Sequence, residues 1–579
     1  MNKNVKCQKW KCFYNFSTMT DGDNKLYENG IGDAWDSFHN WLYCICVVTF
    51  DLELGQALEN VFPRHVNLTK QEISNVCYLA FPDSNSGCMG DTNFIIRLQN
   101  NQGTKNLRNE HHNYNAKCPT ALQVDGSYYW GYVYFRQVKD VSLPRGYFQK
   151  SVVILSFLPF NNLFSKLCGF IAPEYFDNGD VTLEAVCYNI ERWPPPRPGS
   201  TLNLPLLGSV FQTYIPLSTS ANSTLALLSE PGDNQIQTNV EDINLFEILQ
   251  PVLSYIHLLW ELVIVSEPIV VMASSPTHCS SMVLALTRLI CPLQYCGDYR
   301  PYFTIHDSEF KQFTSKSQGP PPVILGVTNP FFGKTLHHWP HTIHLSDDIG
   351  QAQKYKLKKT APTKMIDNSP GVFTAYKPFL QKDKNIIKKL LSGVTSKRPF
   401  EVQSAILRRH LLELTQSFMI PLERYIASLM PLQKSIHPFK APPSPLPFNP
   451  DSFFATLEAA GPQLTLNNTG IRGDWVGLYK KFFRSPNFTA WFNTRYTELT
   501  MKLQALQTEA LSNADLKLWA QERPEVEIVD MVLRIQNKIQ KCDQRDIPVD
   551  SAIKEKLSLR LNEITSGLPD DLKNILHVS

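Results

Sequence analysis

The feature that most restricts the fold is a change of hydrophobic period along the chain. Between Trp41 and Leu158 the apolar residues fall in short runs: WLYCICVVTF (Trp41–Phe50), VCYLAF (Val76–Phe81), FIIRL (Phe94–Leu98), YYWGYVYFRQV (Tyr128–Val138) and SVVILSFL (Ser151–Leu158). They are β-branched and aromatic and are bounded by Gly, Pro, Asn and Asp, so each predicts a strand. PDSNSG (Pro82–Gly87) and LPRG (Leu143–Gly146) carry turn chemistry. With a helix expected at Asn161–Ile171, the first part predicts an antiparallel sheet with helical cover. Far downstream the period changes to the helical one. Leu407, Leu411, Leu414, Phe418, Leu422, Tyr425 and Leu429 step by three or four residues, with Pro421 predicting a kink or a junction of two helices. Asp474–Phe483 predicts a short helix and Pro486 a restart. Later stripes at Leu499, Leu503, Leu506, at Ile528, Val532, Ile535, Ile539 and at Ile553, Leu557, Leu561, Ile564 read as core faces of further helices.

The middle of the chain has a third texture. WPPPRPG at Trp193–Gly199 forces an extended link, and Ser218–Val240 is a polar, low-complexity loop that marks a boundary. From Ile243 helix and strand alternate. Leu245, Leu249, Val252, Ile256, Leu259 and Val263 recur at helical spacing with a kink expected at Pro251. Strands follow at Ile269–Ala273, Val323–Val327 and Thr342–Leu345, with a helix at Ser281–Leu289. Continuous apolar strands between helices predict a mainly parallel sheet covered on both faces. The expected organisation is a flexible tail (1–40), a sheet module (41–217), a linker (218–242), an α/β module (243–376), a helical module (377–511) and a helical extension (512–579).

Composition narrows the class. At 579 residues the chain has room for about three domains of roughly 150–200 residues each. Its 43% hydrophobic and 19% charged residues describe a folded globular protein, and a net charge of +3 gives no pull toward nucleic acid. Thirteen cysteines without a C-x-x-C pair argue against a zinc ribbon or a redox pair and suit a reducing compartment. The N-terminus MNKNVKCQKWKCFYNF lacks an apolar signal core. The most apolar stretch, Leu245–Ala273, is interrupted by Glu247, Glu261 and Glu267. A cytoplasmic protein that meets membranes only from outside is therefore expected.

Two segments look like catalytic hardware. GKT at Gly333–Thr335 suggests a phosphate loop, which needs four residues between its first Gly and the Gly-Lys pair. That position is Thr328; the nearest upstream glycine, Gly326, is too far, and Pro330, Phe331 and Phe332 occupy the loop. Proline has no N–H to offer a phosphate, and two phenylalanines crowd it. His337, His338 and His341 suggest a metal, since His337 and His341 would share a helix face, but Pro340 lies between them and no glutamate follows His337. An element end packed around Trp339 is the plainer reading. No metal and no cofactor is expected. Lys354–Arg398 holds twelve Lys/Arg against Asp367 and Asp383. It reads as a solvated linker, or as an electrostatic foothold on an acidic partner surface or on anionic membrane, the latter through Lys354, Lys356, Lys358 and Lys359.

LWELVIVSEPIVVMASSP (Leu259–Pro276), RPYFTIHDSEFKQF (Arg300–Phe313), PPVILGVTNPFFGKTLHHWPH (Pro321–His341) and SFMIPLERYIASLMPLQK (Ser417–Lys434) resemble the DENN-domain proteins, specifically the sixth subfamily. GYVYFRQVKDVSLPRGYFQKS (Gly131–Ser151) and GDWVGLYKKFFRSPNF (Gly473–Phe488) extend the likeness over Trp41–Leu511. The resemblance implies a tripartite architecture: a longin-like antiparallel sheet module, a central mainly parallel α/β module and a C-terminal helical module. It implies a guanine nucleotide exchange factor for a Rab GTPase, acting on the GDP-bound or nucleotide-free form in endosomal traffic, cytoplasmic and recruited to recycling endosomes. A Rab-binding adaptor without exchange activity is the alternative. Exchange breaks no bond, so no catalytic residues are expected. Arg300, Tyr302, Asp307 and Glu309 are candidates for the partner surface, set against the alternative that RPYFTIHDSEF is an internally hydrogen-bonded strand–turn. Trp339 and the PFFGK turn are further candidates.

Overall fold

A computed structural model describes residues 35–573, except 52, 54, 84–87, 104–106, 144–145, 219–234, 241–242, 316–318, 347–355, 359–369, 461–470, 522, 545 and 570–571. The chain divides into two compact units. Unit 1 comprises Met1–Ile243 with Ser275–Ser281 and Pro301–Lys311; unit 2 comprises Asn244–Ser274, Met282–Arg300 and Gln312–Ser579. The expected α/β and helical modules thus fall in one unit, and two segments of the expected α/β module belong to the first.

Unit 1 is built on a five-stranded antiparallel sheet of β1 (Cys44–Asp51), β2 (Gly55–Phe62), β3 (Gly90–Gln99), β4 (Tyr128–Lys139) and β5 (Tyr147–Ser156), in the order β2-β1-β5-β4-β3. This is the longin-like antiparallel sheet. Side chains alternate across it. On one face Tyr132 and Tyr134 meet Phe164 and Phe176 of helix α2 (Asn161–Asn178). On the other Phe135 meets Phe81, and Ser151 Oγ donates to Ala80 O at 2.6 Å, at the end of helix α1 (Lys70–Leu79). Burial on both faces explains why β4 and β5 read as continuous apolar runs.

The strand expected at Val76–Phe81 is a correction, because Val76–Leu79 is the last turn of α1. Thr69 caps that helix: its Oγ1 accepts from Glu72 N at 3.2 Å while Glu72 Oε2 accepts from Thr69 N at 2.8 Å. Such a reciprocal box satisfies donors that a strand would present elsewhere. Helix α3 (Asp180–Glu191) follows α2 across Gly179, whose φ of 75° ends one helix and starts the next. A three-stranded sheet of β6 (Ser200–Leu206), β7 (Ser209–Ile215) and β8 (Gln235–Asn239) completes the unit. The last strand corrects the expectation that Ser218–Val240 is loop throughout; most of the rest of that loop lies outside the described residues.

Unit 2 holds a six-stranded sheet of β9 (Ile269–Met272), β10 (Asp298–Arg300), β11 (Val323–Val327), β12 (His341–His344), β13 (Lys356–Lys358) and β14 (Gly371–Thr374), ordered β10-β11-β9-β12-β14-β13. The pairs β10–β11, β11–β9, β9–β12 and β13–β14 are parallel and β12–β14 antiparallel. The apolar stretch before β9 is helix (Leu245–Leu249), a 3-10 segment (Gln250–Tyr255) that takes up Pro251, and helix α4 (Ile256–Ile264). Helix α5 spans Pro276–Thr287. Leu245–Ile264 is long and apolar enough to cross a membrane, yet 67% of that window is buried inside the protein. Its Glu261 is fully buried, accepting from Phe379 N and Leu380 N at 2.9 Å each.

The remainder is helical: α6 (Lys384–Thr395), α7 (Phe400–Ser428), α8 (Pro450–Ala460), α9 (Trp475–Phe482), α10 (Pro486–Asn513), α11 (Leu516–Gln521), α12 (Glu525–Asp543) and α13 (Ser551–Ser566). All seven members of the Leu407–Leu429 stripe are buried. Helix α7 nevertheless runs through Pro421 as a single helix, which rules out the junction of two helices, one of the two outcomes expected there. Packing on the preceding turn outweighs the lost hydrogen bond. Phe418 stacks on Tyr479 at 4.4 Å, and Tyr479 Oη donates to Phe418 O at 2.7 Å. Asp474 caps α9, and Ser485 caps α10 with Pro486 in its first turn. The extension has its own core of Leu516, Met531, Val532, Ile535, Leu557, Ile564 and Leu568, closed by Leu511.

Candidate partner surface

The hairpin joining β4 to β5 projects apolar side chains where turn chemistry alone would place polar ones. Val138, Val141, Leu143 and Tyr147 are exposed, Val141 by 98%. Met89 is exposed as well, its sulfur accepting from Gln137 Nε2 at 3.1 Å. The hairpin's described residues are bonded to one another. Asp140 N donates to Gly146 O at 2.9 Å, Gly146 N to Leu143 O at 2.8 Å, and Asp140 Oδ1 accepts from Ser142 N and Oγ. Those two bonds hold the Asp140 carboxyl below its usual range.

Below the tip the strands are pinned. Arg136 makes a two-point ion pair with Asp91, Nε–Oδ1 at 2.7 Å and Nη2–Oδ2 at 2.8 Å, and Tyr134 Oη donates to Asp91 Oδ2 at 2.6 Å. The Arg136 bonds are the larger cause holding the Asp91 carboxyl down, while burial and that carboxylate push the Tyr134 phenol up to about 12. A two-point pair fixes the direction in which the hairpin leaves the sheet. Exposed apolar side chains on a rigid support are what a protein partner covers. None of these residues is singled out from sequence: Val138 reads as a strand end and Leu143 as part of a turn, and neither reading says which side chains the folded sheet leaves exposed.

The expected candidates at Arg300–Glu309 fall differently. Tyr302 is 1% exposed; its Oη accepts from Asp83 N at 2.8 Å and donates to Phe81 O at 3.3 Å, and its ring meets Phe94 edge-on at 5.2 Å. Arg300 is buried, paired through Nε with Asp298 Oδ2 at 2.9 Å. Both side chains are internal, which corrects their placement on a partner surface and matches the alternative of an internally bonded strand–turn. Asp307 and Glu309 are half-buried, with Asp307 Oδ1 accepting from Glu309 N at 2.9 Å. The surface beside them is made with α1: His306 stacks on Tyr78 at 4.8 Å, and Gln71 Nε2 lies 3.5 Å from Ser308 Oγ. Reading Val76–Phe81 as a strand hid this partnership.

Neither GKT nor the histidines assemble a catalytic site. Phe332–Thr335 is a single helical turn with Phe332 buried, and Trp339 is buried with Nε1 donating to Phe313 O at 3.3 Å. His337 lies in the following turn, its Nδ1 2.7 Å from Lys334 O, whereas His341 opens β12. They do not share a helix face. His341 belongs instead to a polar network: Nδ1 lies 2.7 Å from Thr374 Oγ1 and Nε2 3.3 Å from Glu267 Oε2, while Lys481 Nζ meets Glu267 Oε1 at 2.6 Å. Hydrogen bonding from His341, then from Lys481, brings the Glu267 carboxyl down to about 2. The network joins β12 and β14 to α9 and is structural in form. Among the described residues no group of three or more His, Cys, Asp or Glu is arranged to hold a metal ion. Of the basic candidates, Lys356 and Lys358 lie in edge strand β13, and Lys354 and Lys359 lie outside the described residues.

A longin-like sheet, a mainly parallel sheet and a helical end define the class of DENN-domain proteins, and residues 147–347 match the DENN (AEX-3) domain. Residues 516–579 match the DENND6 C-terminal domain. The chain is 51% identical over 553 residues to Protein DENND6A of Gallus gallus, covering 94% of each. It is 49% identical over 553 residues to Protein DENND6B of Homo sapiens, again covering 94% of each. To the DENND6 homolog of Dictyostelium discoideum it is 32% identical over 603 residues, covering 91% of this chain and 80% of the relative. The chain belongs to the DENND6 family.

Proposed function

We propose that this protein is a guanine nucleotide exchange factor that promotes GDP release from a Rab GTPase in endosomal membrane traffic, working from the cytoplasm and recruited to recycling endosomes. Membership of a DENN-domain family carries the reading. The apolar hairpin tip supports it, as a surface that a GTPase covers.

An exchange factor binds the empty GTPase better than the GDP-bound form, and by reciprocity it weakens GDP binding by the same factor. A thousandfold acceleration corresponds to about 4 kcal/mol of differential binding, at about 1.36 kcal/mol per decade. Distorting the switch loops that hold Mg²⁺ and phosphate supplies it without any bond chemistry. Lys354, Lys356, Lys358 and Lys359 serve as a foothold on anionic membrane, and neutralising them together weakens binding to anionic liposomes.

The test is release of fluorescent GDP from a panel of purified Rab proteins at substoichiometric amounts of this chain, with Val141→Asp and Leu143→Asp alongside. Acceleration on one or two Rabs, lost at least tenfold in the variants at unchanged melting temperature, is expected. No acceleration on any Rab, together with binding to a GTP-loaded one, would establish the adaptor reading instead.

A further inference from the structure

We propose that a cavity between α10, α12 and the segment Pro438–Pro442 binds a small, multiply phosphorylated polyol, free or as a lipid headgroup. The cavity has a volume of about 480 Å³, and its lining includes Lys440, Arg534, Lys538 and Lys541 but no Asp or Glu. Arg534 pairs with Asp530 on its own helix, which leaves the three lysines to set the sign of the site.

Residues 534, 538 and 541 step by four and three along α12 and share one helix face; with Arg534 paired to Asp530, Lys538 and Lys541 are left as neighbouring like charges, an arrangement that costs stability unless an anion joins them. A solvated basic face is the plain alternative, and Lys538 argues against it. Lys538 is half-buried, and its Nζ donates to Thr508 Oγ1 at 3.2 Å. No carboxylate lies within ion-pair distance of it among the described residues. Burial lowers its pKa, as expected for an ammonium drawn from water without a counter-charge.

The opposite wall is fixed. Gln507 is buried, and its Nε2 donates to Pro438 O at 2.8 Å and Lys440 O at 3.1 Å, which sets the orientation of the amide and holds the Lys440 backbone against the cavity. Gln504 and Asn537 add amides suited to hydroxyl groups. The aromatic ring in the lining, Phe439, is stacked on Trp519 at 5.4 Å and 17°, which favours a polyol over a nucleobase. Arg534, Lys538 and Lys541 lie within the DENND6 C-terminal domain match and Lys440 and Gln507 before it, so a bound anion would join the extension to the helices that precede it.

The test uses the full chain and two probes at about physiological salt, where surface charge is screened beyond roughly 8 Å. Inositol hexakisphosphate is titrated by calorimetry, and vesicles containing phosphatidylinositol bisphosphate are compared by flotation with phosphatidylserine vesicles of matched charge. Lys538→Gln combined with Lys541→Gln should weaken binding at least tenfold. Lys388→Gln with Lys389→Gln, an exposed basic pair on α6, should leave it unchanged. If the first double variant does not fold, Lys440→Gln with Lys541→Gln, both exposed, replaces it. Binding of the soluble probe alone assigns a free ligand; selective binding of the bisphosphate vesicles as well assigns a lipid headgroup. No binding of any probe, or equal loss in both double variants, would overturn the proposal.

Discussion

His257 of α4 and His410 of α7 meet Nε2 to Nε2 at 3.0 Å, and both are buried. One ring donates to the other, which requires the accepting ring to be neutral, and burial disfavours a charge on the donor as well. Burial, then the neighbouring His410, lowers the pKa of His257 to about 3 from its ordinary 6.5; burial lowers His410 as well. Asp383 opposes the shift at both, and Lys382 adds to it at His257. Below about pH 6.5 the unfolded chain takes up protons that the folded chain refuses, so stability falls as the pH drops toward 3. At pH 5 the cost from His257 alone is about 2 kcal/mol, at about 1.36 kcal/mol per pH unit. Replacing both residues, His257→Leu with His410→Leu, removes donor and acceptor together and should be nearly neutral at pH 7.5. His257→Leu alone leaves His410 Nε2 without its partner and should cost about 1–3 kcal/mol. Urea unfolding at a series of pH values between 7.5 and 5 measures both. The double variant should lose at least about 2 kcal/mol less than the parent over that range, since it removes the lowered His410 as well. Parallel profiles for parent and double variant would refute the reasoning, because the difference isolates this pair from every other titrating group.

Tyr302→Phe removes the hydroxyl shared by Asp83 N and Phe81 O and should cost about 1–3 kcal/mol in denaturant unfolding; an unchanged midpoint would deny the anchoring role. Gly473 has a φ of 157°, and a Cβ there would strike the backbone of Phe379, so Gly473→Ala should lose about 2 kcal/mol or more of stability, read by thermal unfolding. Lys334→Ala should leave the proposed exchange activity and the melting temperature within error of the parent; a loss above tenfold with an intact fold would return a functional role to that lysine.

The parts of the fold legible in the sequence are those where one force dominates. Val323–Val327 is buried throughout and lies between two other strands, so its apolar run and its strand coincide residue for residue. The α7 stripe is legible for the same reason, since seven residues share one buried face. Val76–Phe81 misled because a short apolar run fits helix and strand alike, and the deciding evidence, Thr69 and Glu72, lies outside the run. β2, GQALENVF, went unread because it is mostly half-buried and holds few β-branched residues. Pro421 was weighed by its local cost, whereas Phe418 and Tyr479 set the balance through contacts more than sixty residues apart in sequence. The candidate partner surface was the least legible part. Exposure is a property of the folded sheet, so nothing in the string distinguishes a buried valine from Val141.

Two pieces of unit 1, Ser275–Ser281 and Pro301–Lys311, are written into the chain after Ile243. During synthesis the module therefore cannot be finished when its main stretch leaves the ribosome. At about 5–20 residues per second, the last piece arrives several seconds after Ile243. Until then Phe81 O, Asp83 N and the Phe94 edge lack the tyrosine that meets them in the mature protein. A nascent chain stalled near Ile243 presents that vacancy to chaperones, and a truncation there yields a sheet module missing its Tyr302 seam rather than an independent domain.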